Sequence, residues 1–135
     1  MISPVVALKD AIRVTLMSDA AVLVLLREPK VFADPPKHAA FPYIAFVAAE
    51  AQENGTATDD GHLTNLTLGA WARHGGSSES LMVAAAIEGA LRSIPQTLNG
   101  HHLVNLTVRS VEPTQLKDGE TWRCLVRLRA VTEVL

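Results

Sequence analysis

The chain has 135 residues, 48% of them hydrophobic and 19% charged, a balance that suits one globular domain spanning 1–135 and excludes a disordered tail or linker. Ala, Leu and Val dominate the apolar set beside only three Phe, two Trp and one Tyr, so an aliphatic core of closely packed helices and strands is expected, with apolar material left for a further buried surface. Twelve basic against fourteen acidic side chains give a net charge of -2, which argues against nucleic acid as the main partner, since that affinity comes from phosphate neutralisation.

Ser3 followed by Pro4 marks a helix start, a capping hydroxyl before a residue that has no N–H to lose. Val5, Leu8, Ile12 and Leu16 then recur on one face as far as about Met17. Asp19 can cap a second short helix through Leu26. Its apolar run, 20–26, is no shorter than any other in the chain and is far short of the ~20 residues a membrane span requires, so no membrane partner is expected. Residues 31–34 allow at most a short strand before Pro35 and Pro36.

Residues 41–51 form an apolar run without alternation, predicting a strand covered on both faces. The polar stretch 52–61 breaks it. A second strand follows over 62–73, with Leu66, Leu68, Ala70 and Ala72 on the core face and Asn65, Thr67, Trp71 and Arg73 on the other. After the His74-Gly75-Gly76 turn, Ser77 or Ser78 can cap a helix carrying Val83, Ile87, Leu91 and Ile94 as its stripe and ended by Pro95. Ala84, Ala85, Ala86, Gly89 and Ala90 keep that helix thin, so it can lie close to a sheet or another helix. Residues 102–111 and 121–131 are two more alternating strands, joined across 113–119, with Cys124, Val126, Leu128 and Ala130 inward and Arg123, Arg127 and Arg129 outward. The expected fold class is α+β: a mainly antiparallel sheet built from two hairpins, with helices packed on it.

Chemistry is hard to place on this pattern. None of the five histidines belongs to a metal-ligand motif, and adjacent His101 and His102 point to opposite faces of a strand. Cys124 is inward and has no activating neighbour, while Ser77, Ser78 and Ser80 lack the nucleophile-elbow spacing. The turn at 74–78 lacks the spacing and the Lys of a phosphate loop. Glu50, Glu53, Asp59 and Asp60 read as a solvated acidic loop. No catalytic residue, metal site or cofactor is expected. The lone cysteine and a start without a basic and then apolar segment point to a reducing cytoplasm, so the Asn-x-Thr triplets at Asn54, Asn65 and Asn105 are read as chance.

Charge is distributed unevenly. Residues 38–72 hold four acids and no Lys or Arg, whereas 121–132 hold Arg123, Arg127 and Arg129 without an acid. These are either solvated faces or complementary surfaces between copies of the chain. A large aromatic such as Trp71 on a polar strand face should be covered, by a helix or by a subunit. The loop 52–61 has turn formers and no apolar anchor, so it should project and be ordered by a partner.

In order, the segments SPVVALKDAI, SDAAVLVLL, VFADPP, FPYIAF, DGHLTNLTLGAWAR, SLMVAAAIEGAL, LNGHHLVNL and DGETWRCLVRLRAVTE resemble the tail-completion or tail-terminator family of long-tailed phages and gene transfer agents. The resemblance implies a non-enzymatic α+β protein that forms a hexameric ring at the head-proximal end of the tail. It would stop tube polymerisation and offer a surface for head joining. It would assemble in the cytoplasm before joining the particle. The implied partners are further copies of the chain, the tail tube protein, the head-side connector or stopper, and DNA passing through the lumen without sequence readout. The family brings no catalytic motif, so the interface candidates come from pattern alone: Gln52, Glu53, Asn54, Asp59, Asp60, Trp71, Arg123, Arg127 and Arg129. A neck or stopper protein is the nearest alternative, and a small cytoplasmic ligand-binding module or enzyme with a pocket under the hairpins is a more distant one.

Overall fold

The computed structural model describes residues 3–53 and 61–135. Helix α1 (Pro4–Met17) starts where the Ser3 hydroxyl accepts the N–H of Val5 at 3.2 Å. Helix α2 (Ala20–Leu26) starts where the Asp19 carboxylate accepts that of Val22 at 3.1 Å, and it stops at Arg27, whose φ of 69° takes the left-handed form that closes helices. Strands β1 (Val31–Phe32), β2 (Tyr43–Glu53) and β3 (Gly61–Ala72) follow, then α3 (Gly76–Leu91), β4 (His101–Gln115) and β5 (Trp122–Val134). The five strands form one sheet in the order β1-β2-β3-β5-β4, in which only the β1–β2 pair is parallel. The hairpins β2–β3 and β4–β5 meet along β3 and β5, as the α+β reading requires.

The core lies on one side of this sheet. Leu8, Ile12 and Leu16 of α1, Val22 and Leu26 of α2, and Val83 and Ile87 of α3 share a buried cluster with Leu66, Leu68 and Ala70 of β3 and Cys124, Val126 and Leu128 of β5. Each buried aliphatic side chain of this kind stabilises the fold by about 1.5–3 kcal/mol relative to exposure. Burial also pushes the Cys124 thiol above its ordinary value, which fits an inert core residue.

Several expectations are corrected. β2 is not covered on both faces along its length: Ile44 and Ala45 are buried, but everything from Val47 to Glu53 is exposed. The strand also runs on through Gln52 and Glu53, which pair with Leu63 and His62. α3 begins at Gly76, with Gly75 at its cap and no capping side chain, so Ser77 and Ser78 lie inside the first turn. Gly76 itself has a φ of 61° and lets the chain turn before a serine could cap it. The helix ends at Leu91, ahead of Pro95. β4 continues through Pro113, paired with Cys124, because β4 is an edge strand and the missing N–H removes no hydrogen bond from an inner ladder. His101, the first residue of β4, is fully buried.

The β4–β5 turn is fastened by one carboxylate. Asp118 accepts the Thr121 hydroxyl at 2.6 Å and the N–H groups of Thr121 and Glu120 at 2.8 and 2.9 Å, and Arg73 lies 3.6 Å away. The Thr121 hydroxyl, then these N–H groups and, less, the Arg73 charge lower the Asp118 pKa from 3.8 to about 2. Its contribution to stability is therefore complete above pH 3.8 and is lost as the pH falls toward about 2. An NMR titration of the Asp118 carboxyl is expected to show this low midpoint, and Asp118→Asn should narrow its stability gap to the wild type over the same fall in pH.

Candidate interaction surface

The strand face opposite the core is built in rows set by the register. Tyr43, Trp71, Arg123 and Thr114 form one row; Ala45, Gly69, Leu125 and Glu112 the next; then Ala48, Thr67, Arg127 and Ser110; then Glu50, Asn65, Arg129 and Thr107. The three arginines are thus stacked along the middle of this face, on β5. Leu66, Leu68, Ala70 and Ala72, which alternate with these positions on β3, are the ones buried with the helices.

One end of the face is aromatic. The Tyr43 and Trp71 rings stack at 5.1 Å and 11°, Phe41 and Phe32 tilt against Tyr43 at 5.4 and 6.0 Å, and the Arg73 guanidinium lies 4.2 Å above the Phe41 ring. Burial in this cluster pushes the Tyr43 hydroxyl pKa up, with the Arg73 charge opposing. Trp71 is therefore covered on one side by Tyr43, on the strand face away from the core helices, and the expectation of a helix above it does not hold. Gly69 permits the arrangement: a Cβ there would stand 2.5 Å from the Trp71 ring.

The arginines are not equivalent. Arg127 donates to Glu112 at 3.2 Å and to Ser110 at 3.3 Å, so the stripe is partly neutralised from β4. Among the described residues Arg123 and Arg129 form no ion pair. Gln52 and Glu53 are exposed at the far end of β2. Asn54, Asp59 and Asp60, with the rest of the projecting-loop expectation over 54–60, lie outside the described residues. The face thus brings together Trp71 and the three arginines, with Glu50 in the Arg129 row. Sequence reasoning missed Tyr43, Gly69 and Glu112. The Gly69-x-Trp71 spacing, which puts both residues on one strand face, was a usable signal for one of them.

Other chemistry is sparse. Among the described residues no cluster of three or more His, Cys, Asp or Glu side chains could hold a metal. Among the same residues no helix is long and apolar enough to cross a membrane. An open depression of about 310 Å³ lies beside the α3 N-terminus, lined by Arg73, His74, Gly76, Gly119, Glu120 and Trp122.

The domain is thus two-layered, with helices on one side of the sheet and a charged and aromatic face on the other. The model of the tail completion protein gp17 family matches residues 10–133, so the chain belongs to that family of phage-tail structural proteins, which are not enzymes. Among solved structures, a chain of the virion of a native gene transfer agent particle superposes with a TM-score of 0.87 at 21% identity, covering 98% of this chain and 99% of that one. The gp17 protein of bacteriophage SPP1 superposes with a TM-score of 0.58 at 16% identity, covering 92% and 87%. At these identities the likeness is one of fold. No curated protein matches the sequence.

Proposed function

We propose that this chain completes the head-proximal end of a phage-like tail, as a hexameric ring that ends tube polymerisation and presents the surface for head joining. The observation that carries the reading is the family match over 10–133, joined to a fold shared over nearly the whole of both chains with a component of a gene transfer agent virion. In this reading the chain assembles in the cytoplasm, enters the particle, and meets its own copies, the tail tube and the head-side connector. Arg123, Arg127 and Arg129 lie at a subunit boundary or along a lumen through which DNA passes unread, and Trp71 sits near the same contacts. Gln52 and Glu53 at the end of β2, with Asn54, Asp59 and Asp60 between β2 and β3 in sequence, reach the tube.

Electron microscopy of particles assembled without the chain tests it. Over-long or headless tails are expected. Empty capsids on tails of normal length would instead assign the neck or stopper role, and normal joined particles would overturn both.

A further inference from the structure

The outward face of α3 is poorly explained by the fold of one chain. From Leu81 to Gly89 its exposed positions are Leu81, Met82, Ala85 and Gly89, with no charge among them, and Met82 is 57% exposed. A helix that packs only on its own core normally turns charged residues outward, and α1 does set Asp10 and Arg13 among its exposed Val6 and Val14. Gly89 is a second anomaly. Its φ is not in the left-handed region, and a Cβ built on it would meet nothing within 4 Å. Nothing in the described chain calls for glycine at a helix position, where it is less favourable than Ala.

We infer that this face of α3 packs on the arginine-bearing sheet face of a second copy, in a contact repeated head to tail around the ring; the inference rests on the ring reading above. Charge selects this occupant. Glu79 and Glu88 flank the apolar stripe of α3, and like Arg123 and Arg129 they have no ion-pair partner among the described residues. Bringing the two faces together sets carboxylates against guanidinium groups, with Leu125 between Arg123 and Arg129 to meet the apolar stripe. Packing two α3 faces on each other would instead crowd Glu88 against its own copy. The two surfaces also lie on opposite sides of one two-layer domain. A contact between them is heterologous and propagates to the next copy, as a ring requires.

The test joins Met82→Cys with a cysteine at an exposed position on the sheet face, Asn65→Cys or Thr107→Cys in parallel. A flexible bismaleimide is applied to the purified chain and to tails recovered from particles. A covalent ladder extending beyond the dimer is expected only when both cysteines are present, because one site per chain cannot propagate; buried Cys124 gives no background. Gly89→Gln should raise the melting temperature of the chain by about 3 °C through helix propensity and cut the ladder by roughly tenfold, the loss expected when one close contact is disrupted. Dimers from Met82→Cys alone, or a ladder unaffected by Gly89→Gln, would overturn the proposal. A ring seen by microscopy without any ladder from either pair would sink this contact and leave the ring reading standing, whereas tail ends without a ring would remove both.

Discussion

Trp71→Ala is expected to destabilise the isolated chain by about 2–3 kcal/mol, somewhat below the 3–5 kcal/mol typical of a fully buried aromatic because the ring is only half-buried. The loss has two parts. The stack on Tyr43, 5.1 Å between centroids, contributes about 0.5–1.5 kcal/mol beyond the area it covers. The rest is apolar surface over Gly69 and Tyr43 returned to water. Trp71→Phe should retain more than half of the stability. Gly69→Ala supplies an independent check, because its Cβ would enter the Trp71 ring and force it off the sheet at about 1–3 kcal/mol. In the Trp71→Ala background most of that cost should vanish, leaving only the 3.1 Å approach to Val47, so a double-mutant cycle read by urea unfolding should show strong non-additivity. Superimposable unfolding curves for wild type and Trp71→Ala would refute the account.

What the sequence made legible is what local physics determines. Ser3, Pro4 and Asp19 mark helix starts because capping needs only neighbouring backbone, and the buried faces of β3 and β5 follow from alternation, a property of any strand. Pairing depends on other segments and was hidden. The Arg127–Glu112 contact exists because bulges between Leu103 and Asn105 and between Val108 and Ser110 shift the β4 register, and no periodicity within β5 reports them. The wet end of β2 escaped for a similar reason, since its cover depends on how far the helices packed on the sheet extend over it. On α3 the small residues were visible, but which of them face the core was not: Ala84 and Ala90 are buried, while Ala85 and Gly89 are exposed. The interface candidates came from charge patterning, which finds a face without finding its partner.

Replacing both Arg123 and Arg129 with Glu is expected to leave a folded chain that no longer assembles. Neither arginine forms an ion pair among the described residues, so the substitutions break no such contact within the chain. Arg127 is left in place because its bond to Glu112 at 3.2 Å already uses its charge. Exposed pairs of that kind contribute only about 0–1 kcal/mol, so the stability of the double variant should be set by the lost packing of two long side chains. In the assembled particle the same arginines have two possible counter-charges, and reversal affects both. Against DNA phosphates in a lumen it introduces repulsion, and against Glu79 and Glu88 of the next copy it places like charges together. At roughly tenfold per disrupted contact, repeated around a ring, the yield of joined particles should fall by several orders of magnitude. Restoring the opposite sign on α3, with Glu79→Arg and Glu88→Arg, separates the two. Carboxylates of a neighbouring copy as partners predict recovery of both ring and joined particles, whereas phosphates in the lumen predict none, since a second set of reversals on α3 leaves the lumen as negative as before. Particle yields that the first double substitution leaves at the wild-type level would show that this face meets bulk solvent in the tail, and neither partner would then stand.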